Sequence, residues 1–410
     1  MPKQNLIAAF LLSLSLSSNA ARATDLEVLH WWTSGSEAEA LGELKKMLKN
    51  KTDYQWKDFS VVGGGGQNAL KVLKSRVLAG KMPAAVQLKG PAIQEWGKYL
   101  TRMDSIANEE KWTSMIPASV AGGMQVEGHW TAVPVNVHRV NWVWMHAGLF
   151  KKLGATMPQS IDELFALAER AQKEGIRPFA HGGEPWQDMT AFEEILLASQ
   201  GPEFFQQFAQ LKPEALQSDK LKHTFDWMRR YSDLLPKNRK GMSWDKASKE
   251  VIEGKALMQF MGDWAKGEIT MAGKTPGVDV LCLAMPGSGQ AFIYNVDSFA
   301  FFDTQSDVTK KGQLKLASLI LSREFQEPFN KKKGSIPARV DLDMKGFDSC
   351  AQASMETFRK GTLLPSIAHH MALPSKQVTA IQDLVSEHLN SRMTSEEAMR
   401  KLKAAINASR

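Results

Sequence analysis

Apolar runs alternate with amphipathic segments over the first hundred positions of the chain. Three short apolar runs predict strands, at 26–32, 59–62 and 84–88. Three segments in which apolar positions recur at helical spacing predict helices, at 37–49, 68–79 and 93–99. Strands and helices that alternate at these lengths predict an α/β fold, with a parallel sheet covered on both faces.

The rest of the chain repeats this alternation less regularly. Extended segments are predicted at 128–143, 278–283 and 291–302. Helical segments are predicted at 160–174, over most of 190–266, at 313–324 and at 375–407. Ser160 followed by Glu163 matches a capping box at the start of one of them. A sheet that stops and later resumes predicts two lobes, between which the chain passes more than once.

The first 23 residues have a different pattern and are interpreted as a targeting signal. Lys3 precedes an apolar run at 6–16, and the segment ends in Ala21-Arg22-Ala23. A short positive start, a short hydrophobic core and an Ala-x-Ala ending are typical of a secretory signal peptide, here cleaved after Ala23. The apolar run is about half as long as a membrane span, so export to the periplasm is expected and a membrane anchor is not.

The composition of the 410-residue chain excludes several classes of protein. With 43% hydrophobic and 23% charged residues, it is neither a disordered chain nor a disulfide-dense miniprotein. The net charge of +7 is spread along the chain, so nucleic acid is not an expected partner. The sequence has no zinc-binding spacing and no Gly-x-Ser-x-Gly motif, so a metal, a cofactor or serine hydrolase activity is not expected. The two carboxylates of a glycosidase need no short spacing, and that class stays open.

The two cysteines, Cys282 and Cys350, are expected to form a disulfide if the protein is exported to an oxidising compartment. They lie 68 positions apart. A bridge over this loop would stabilise the protein by about 4 kcal/mol through restriction of the unfolded chain. Two buried free thiols are the alternative. Redox catalysis is not expected, because the spacing is unlike Cys-x-x-Cys.

Candidate ligand contacts lie where two of the predicted strands end. Trp31 and Trp32 end the first strand, and Gln87 and Lys89 end the third. In open α/β sheets, ligands bind beyond the carboxyl ends of the strands. Adjacent side chains of a strand point to opposite faces, so one tryptophan is expected in the core and the other is free to stack on a ligand. Burial of both tryptophans and a solvated Lys89 are the alternatives.

Further candidates each have a structural explanation as well. Glu37 opens a helix, where a carboxylate complements the helix dipole. The glycine run at 63–66 lacks the Lys and Ser/Thr of a phosphate-binding loop, so a tight turn that lets the backbone approach a neutral ligand is favoured over nucleotide binding. Trp264 follows Gly262-Asp263 and would also fit a hydrophobic core.

Five other residues, in three segments, carry polar side chains that could contact a ligand. Asn295 and Asp297 lie in an extended segment, where Asp is disfavoured unless it is functional or lies at an edge. Lys333 ends a run of three lysines that solvation alone would explain. His369 and His370 lie in an apolar stretch and would fit a buried pair.

These weak signals occur together in an order that resembles a known protein family. They are Trp31-Trp32 with Glu37, Gln87-Leu88-Lys89-Gly90, the Ala-Val-Pro-Val-Asn-Val-His-Arg segment at 132–139, Gly262-Asp263-Trp264, the Lys-Gly-Ser-Ile-Pro segment at 333–337, and Ser366-Ile367-Ala368-His369. Together they resemble the extracellular solute-binding proteins of carbohydrate ABC importers. They are especially similar to the periplasmic glucose/mannose-binding branch, over nearly the whole chain after residue 23.

The resemblance implies a two-lobed periplasmic binding protein fold with a cleft and hinge between the lobes, and no enzymatic activity. The first lobe would take residues 24–135 and 294–340, and the second 136–293 and 341–410. The implied ligand is a monosaccharide, glucose before mannose or galactose, and the implied partners are a membrane permease and a chemoreceptor. The protein would be a monomer. A disaccharide or oligosaccharide is the main alternative ligand, and a secreted glycosidase is the alternative from another class.

The family's sugar-contacting positions can be matched to this chain residue by residue. The matching residues are Trp31 or Trp32, Glu37, Gln87, Lys89, Trp264, Asp297, Lys333 and His369. The carboxylates would accept hydroxyl protons from the sugar, while the two lysines and the histidine would donate. Two matches stay open, because Lys332 competes with Lys333 and because His370 stands where a smaller residue is expected.

Overall fold

The computed structural model describes residues 24–63 and 65–409, and the predicted signal peptide lies outside them. In this part of the chain the strands are β1 (Thr24–His30), β2 (Tyr54–Ser60), β3 (Ala85–Leu88), β4 (Gln125–Val126), β5 (His129–Trp130), β6 (Ala132–Pro134), β7 (Asn136–Arg139), β8 (Trp142–His146), β9 (Met258–Phe260), β10 (Val280–Ala284), β11 (Ala291–Asn295), β12 (Ser298–Phe301), β13 (Ile336–Pro337) and β14 (Thr362–Pro365). The helices are α1 (Gly35–Lys51), α2 (Gln67–Leu78), α3 (Pro91–Glu95), α4 (Asp104–Glu109), α5 (Trp112–Met115), α6 (Ala118–Ala121), α7 (Ala147–Lys152), α8 (Ile161–Lys173), α9 (Pro185–Ala209), α10 (Asp219–Asp233), α11 (Trp244–Ile252), α12 (Ala265–Met271), α13 (Asp307–Leu321), α14 (Arg323–Lys333), α15 (Ser349–Lys360), α16 (Ser375–Asn390) and α17 (Ser395–Ser409).

A sheet of strand order β2-β1-β3-β12-β6 forms the centre of the first lobe. β1 pairs in parallel with β2 and β3, whereas β12 pairs antiparallel with β3 and β6. Leu26, Val28 and Leu29 of β1 are fully buried in the hydrophobic core of this lobe. The sheet is mixed and not wholly parallel as predicted, because the chain returns to it from the second lobe in the opposite direction at β12.

The second lobe is built on an antiparallel sheet of order β10-β8-β9, packed against helices that include α8, α9 and α10. Aromatic rings fill its core: the centroids of Phe179 and Tyr231 lie 4.9 Å apart, and those of Tyr231 and Phe260 lie 5.0 Å apart. Each lobe thus has its own hydrophobic core. The predicted two-lobed α/β fold is confirmed.

The chain passes between the lobes through a further sheet of order β13-β7-β11-β14. β6 of the first lobe leads directly into β7, and β11 leads directly into β12. Neighbouring crossing strands of this kind form the hinge in two-lobed folds, where a few residues in loops and at the ends of elements absorb the change in backbone angles. We keep the lobe boundaries predicted near 135 and 293 as a proposal.

Some element predictions are wrong in position. β2 begins at Tyr54 and not at Phe59, since it pairs with β1 along its whole length although Lys57 and Asp58 interrupt its apolar pattern. β9, only three residues long, was included in a stretch predicted to be helical. The segment predicted as one helix at 375–407 forms α16 and α17, which pack against each other as a helical pair.

Cys282 on β10 and Cys350 in the first turn of α15 form a disulfide, with 6.1 Å between their Cα atoms. The bridge fastens α15 to the sheet of the second lobe. Other residues of α15, Ala351 and Met355, are buried in the core of the first lobe. The disulfide therefore lies where the two lobes adjoin.

None of the helices in the described part of the chain is both long and apolar enough to cross a membrane.

Candidate functional site

A cavity lies between the cores of the two lobes and holds about 350 Å³ of space, part of it open to solvent. Trp31 and Trp32 come from the core of the first lobe, and Trp186, Trp244 and Trp264 come from the core of the second. The other lining residues are Glu37, Gly65, Lys89, His138, Asn295, Asp297, Lys333 and His369. The structure thus brings all of the predicted contact residues except Gln87 around one space.

Trp31 and Trp32 both reach the cavity, although only one of them was expected to do so. β1 ends at His30, so the two tryptophans lie in the connection that follows the strand and do not obey its alternation. Lys89 follows β3 at the same sheet edge, and its Nζ lies 5.3 Å from the centre of the Trp31 ring. The carboxyl edge of the first sheet therefore forms one wall of the site.

Glu37 has a structural role and a site role at the same time. Its Oε2 accepts the backbone N–H groups of Thr33 and Ser34, at 3.2 Å each, and this completes a capping box with Ser34 at the start of α1. Its Oε1 lies 3.1 Å from Nζ of Lys333. The cap holds the carboxylate in one orientation, with one oxygen turned towards the cavity.

Lys333 is the last residue of α14 and points inward, unlike the lysines that precede it. Its Nζ lies 5.8 Å from the centre of the Trp32 ring, and the residue is almost fully buried. Lys332 instead pairs with Glu39 and Glu43 at the surface, at 2.9 and 2.8 Å. The helical turn thus directs Lys333, and not Lys332, into the cavity.

Asp297, between β11 and β12, is enclosed by donors on both oxygens. Lys89 Nζ and Gln87 Nε2 lie 2.9 and 3.1 Å from Oδ1. His138 Nε2 and Asn136 Nδ2 lie 3.1 and 3.3 Å from Oδ2. Burial alone would raise the pKa of the Asp297 carboxyl, but the charges and hydrogen bonds around it, Lys89 first, bring that pKa well below its ordinary value. The group is held as a carboxylate that orients Lys89 and His138.

Gln87 does not line the cavity, although it was a predicted contact residue. It is fully buried behind Asp297, to which it donates, and its Oε1 accepts the backbone N–H of Trp31 at 3.1 Å. Gln87 therefore ties the end of β1 to the carboxylate and supports the site from outside.

The opposite wall of the cavity is aromatic. Trp264 and His369 meet edge to face with ring centroids 4.9 Å apart, and Trp186 lies 6.2 Å from Trp264 and 5.8 Å from His369. Trp264 follows β9, and Trp186 lies in the first turn of α9. Tightly packed rings with one open face form a rigid stacking surface.

His369 and His370 have different surroundings. His369 lines the cavity, and its Nε2 lies 3.2 Å from Oγ1 of Thr190. His370 is buried outside the cavity in a left-handed conformation, with φ +59°, and its backbone carbonyl lies against Gly90 of the first lobe. Burial lowers the pKa of both imidazoles: that of His369 falls well below its usual value and that of His370 falls to about 4. Both rings are therefore neutral at pH 7.

Five lining residues are not among the side chains predicted to contact the ligand, although the glycine run at 63–66 was expected to let the backbone approach it. They are Gly65, His138, Trp186, Trp244 and Asn295. His138 and Asn295 belong to segments that the sequence already marked, whereas Pro185 before Trp186 marks the start of a helix and not a ligand contact. Trp244 opens α11 with no distinguishing pattern. Tertiary packing alone brings it to the cavity.

Among residues 24–63 and 65–409, no group of His, Cys, Asp and Glu is arranged to hold a metal ion. The lining of the site combines indole rings, ion-paired side chains and imidazole rings. Such a set suits recognition of a polar, uncharged molecule.

Comparison with known proteins agrees with this architecture. A protein of Brucella suis biovar 1, described as "Probable sugar-binding periplasmic protein", is 44% identical over 409 residues, which is 98% of this chain and 96% of that protein. The solved structure of the bacterial solute receptor AcbH superposes with a TM-score of 0.81 at 16% identity, over 94% of this chain and 98% of that one. Maltose-bound T. maritima MalE3 superposes with a TM-score of 0.77 at 18% identity, over 94% and 100%.

The sequence pattern of the family described as "Bacterial extracellular solute-binding protein" matches residues 33–295, which contain most of the cavity-lining positions. This chain belongs to the bacterial extracellular solute-binding protein family.

Proposed function

We propose that the protein is the sugar-binding component of a periplasmic ABC importer and that it captures a monosaccharide, glucose before mannose or galactose. One observation carries the proposal: indole rings from both lobes and ion-paired side chains surround a single cavity between two separate cores. The name of the Brucella suis relative supports the sugar as ligand and the periplasm as location.

The chemistry of a pyranose matches the two kinds of wall. Its C–H face is apolar and stacks on indole, here Trp264 and Trp186. Its hydroxyls need partners around the rim, and Lys89 and Lys333 each retain N–H donors beyond those used on Asp297 and Glu37. A misplaced hydroxyl would leave one of these buried groups without a partner, at a cost of about 1–3 kcal/mol, which would discriminate between epimers.

The charged lining of the cavity favours a small ligand over an oligosaccharide. Two buried ion pairs, Glu37 with Lys333 and Lys89 with Asp297, line the site, whereas an extended saccharide needs a longer and more aromatic cleft. A disaccharide is the principal rival, and the MalE3 structure holds maltose in the same fold. That ligand would need further subsites beyond the five tryptophans that line the cavity here.

A glycosidase is less well supported. The carboxylates of the cavity are Glu37 and Asp297, and each faces a lysine at 3.1 or 2.9 Å. A glycosidase needs one carboxylic acid whose pKa is raised so that it can protonate the leaving group. The pKa of Asp297 is shifted in the opposite direction. We propose that no bond of the sugar is made or broken.

Contacts across the cleft favour closure around the sugar. Ser36 at the start of α1 donates from its N–H and Oγ to Oε1 of Glu268 on α12, at 3.1 and 2.6 Å. The backbone N–H of Ser375 reaches Glu95 at 3.3 Å, and Gln67 donates to Gln382. A closed form fixed in this way is a surface that a membrane permease, and also a chemoreceptor, would recognise in a monomeric protein.

Isothermal titration of the chain from Thr24 onward, refolded to remove co-purified sugar, would test the proposal. Glucose, mannose, galactose and maltose are titrated separately, and the sugar is analysed afterwards. We expect one-to-one binding of a monosaccharide at about micromolar affinity or tighter, with the sugar recovered unchanged.

The four titrations separate the alternatives. Binding of maltose without binding of monosaccharides would overturn the monosaccharide proposal in favour of the oligosaccharide rival. Hydrolysed sugar would favour the glycosidase. No binding of any of the four would contradict both sugar proposals while leaving the family membership intact.

A further inference from the structure

Three residues on one face of helix α9 support the aromatic wall of the cavity. Trp186 lines the cavity, Thr190 contacts the ring of His369, and Glu193 contacts the backbone just before His369. Positions separated by four and then three residues lie on the same side of a helix. All three side chains are buried, so this face of α9 determines how His369 is presented.

The hydroxyl group of Thr190 makes two contacts but has only one proton. Its Oγ1 lies 2.8 Å from the backbone carbonyl oxygen of Trp186 and 3.2 Å from Nε2 of His369. A distance of 2.8 Å between Thr190 Oγ1 and the carbonyl oxygen of Trp186 is that of a hydrogen bond. Because a carbonyl oxygen cannot donate, the proton of that bond must be the hydroxyl proton of Thr190. The hydroxyl then has only lone pairs to offer His369, and Nε2 must be the donor.

The second ring nitrogen of His369 is consequently an acceptor. A neutral imidazole carries one N–H, and the other nitrogen presents a lone pair. Burial and then the charge of Lys89 lower the pKa of His369 well below its ordinary value, so the ring is neutral. Within the described residues Nδ1 has no hydrogen-bond partner, and it is not enclosed as the ring nitrogens of His370 are. Because His369 lines the cavity, Nδ1 faces the ligand space.

We propose that Thr190 is a positioning residue that fixes the Nε2–H form of His369, so that Nδ1 accepts a proton from a hydroxyl group of the ligand. The identity of the ligand as a sugar rests on the proposed function, whereas the tautomer of the His369 imidazole depends only on contacts within the protein. The sequence led us to expect a donor at His369. Its contact with Thr190 reverses that role.

Glu193 holds the backbone that carries this histidine. Its carboxylate accepts from Oγ of Ser366 at 2.6 Å and from the N–H groups of Ile367 and Ala368 at 2.7 and 3.1 Å. Ser366 Oγ in turn accepts the backbone N–H of His369 at 3.1 Å. Glu193 fixes the backbone turn and Thr190 fixes the ring, so together they fix the direction in which Nδ1 of His369 points.

This arrangement selects the chemistry of one substituent on the ligand. A hydroxyl satisfies Nδ1 because it donates a proton. A hydrogen atom or a fluorine atom in its place cannot donate a hydrogen bond. A carboxylate would be repelled, because its oxygens and Nδ1 are all acceptors. The lysines on the other wall have the opposite requirement, since they need an acceptor. A sugar bound here must therefore present a hydroxyl as donor towards the second lobe.

The form of the ring can be measured without any sugar. In ¹⁵N spectra of the imidazoles, protonated and bare nitrogens have distinct shifts, and the signals of His369 are assigned from their absence in His369→Asn. We expect the Nε2–H form in the wild type and in Thr190→Ser, which keeps the hydroxyl. We expect Thr190→Val, of nearly the same shape, to lose that preference. An Nδ1–H ring in the wild type, or an unchanged ring in Thr190→Val, would overturn the proposal.

Deoxy and deoxyfluoro analogues of the bound monosaccharide test the ligand side. The hydroxyl that contacts His369 is the one whose removal weakens binding to the wild type but does not weaken binding to His369→Asn. At that position we expect the fluoro analogue to bind as weakly as the deoxy analogue, with an affinity about tenfold below that of the parent sugar. Full affinity of the fluoro analogue at that position would show a donor at His369 and overturn the proposal. If no monosaccharide binds, the proposed function fails, and the ring spectra still decide the role of Thr190.

Discussion

Glu37 and Lys333 form a buried ion pair of 3.1 Å between the beginning of α1 and the end of α14, although 296 positions separate them in the sequence. Each partner is fixed by its helix: Glu37 by the capping box and Lys333 by the last turn before Gly334, which takes a left-handed conformation with φ +88°. Two helix ends thus place opposite charges at the same point of the cavity wall.

Replacement of Lys333 by Met tests this pair. We expect sugar affinity to fall about tenfold or more, because a charge-assisted hydrogen bond to the ligand is lost and Glu37 is left without its partner. Isothermal titration measures the change. Lys332→Met is the matched control, since Lys332 pairs with Glu39 and Glu43 at the surface. It should leave the affinity unchanged, and equal losses in both variants would contradict the assignment of Lys333.

Trp264 is expected to be the principal stacking residue. Trp264→Ala removes the ring that meets His369 at 4.9 Å, and we expect sugar affinity to fall about tenfold or more, as is usual for a buried aromatic anchor. Circular dichroism should show a folded protein. Trp96→Ala is the control, because Trp96 packs against Tyr99 and Phe302 away from the cavity. Unchanged affinity in Trp264→Ala would remove this ring from the site.

The part of the site that follows strand ends was predictable from the sequence. Trp31, Trp32 and Lys89 come directly after short apolar runs, and the rule for open α/β sheets places such residues at a ligand. The resemblance was needed for Glu37, Trp264, Asp297, Lys333 and His369, because the local pattern at each of them also has a purely structural explanation. All of them lie around the cavity.

The remainder depends on packing that the sequence pattern does not encode. Trp186 and Trp244 begin helices in the second lobe and reach the cavity only because α9 and α11 pack against the sheet of that lobe. Gln87, like Lys89, lies at the carboxyl end of β3. Side chains along a strand alternate between its two faces, however, and that of Gln87 points behind Asp297 and not into the cavity. The antiparallel return of β12 was missed, because strand direction is set by the chain's passage through the other lobe.

Loss of the disulfide between Cys282 and Cys350 should destabilise the protein without changing the site. Because the bridge closes a loop of 68 positions, we expect its removal in Cys282→Ser/Cys350→Ser to lower the free energy of unfolding by about 4 kcal/mol. Denaturant titration measures this, and reductant should lower the wild-type midpoint in the same way. Sugar affinity should stay unchanged, since neither sulfur lines the cavity. Mass spectrometry that finds two free thiols in the exported protein would contradict the pairing.

His388 should make the protein sensitive to acid. Its ring is buried against Phe225 at 5.0 Å, and both ring nitrogens lack hydrogen-bond partners within the described residues. Burial and then the charge of Arg229 lower the pKa of His388 to about 4, while Asp226 opposes them. In the unfolded chain the imidazole takes up a proton near pH 6.5, whereas in the folded protein it does so only near pH 4. His388 therefore leaves the free energy of unfolding unchanged above about pH 6.5 and lowers it as the pH falls from about 6.5 to about 4.

His388→Leu removes the titrating group and keeps the apolar contact with Phe225. We expect the difference in Tm between about pH 7 and about pH 4.5 to be smaller in this variant than in the wild type. His223→Leu is the control on α10, because His223 is exposed and its imidazole stays solvated in both states. An unchanged difference in His388→Leu would show that His388 does not cause the acid sensitivity.

Gly90 is expected to control closure of the cleft. It follows Lys89, has φ +45°, and a Cβ there would collide with the carbonyl oxygen of His370 and lie 2.9 Å from Cα of Met371, both in the second lobe. Gly90→Ala should therefore hold the lobes apart and lower sugar affinity by about tenfold or more, as expected when the binding-competent form becomes rare. Isothermal titration measures the affinity, and small-angle scattering with saturating sugar measures closure.

The conformational cost of a side chain at positive φ has to be separated from the collision. Gly80→Ala does this, because Gly80 has φ +69° with no atom within 4 Å of an added Cβ. Both variants should lose stability from a side chain at positive φ, by about 1 kcal/mol or more, but only Gly90→Ala should bind sugar more weakly and fail to close. Equal affinities in the two variants would mean that the lobes close around the sugar without the contact between Gly90 and His370.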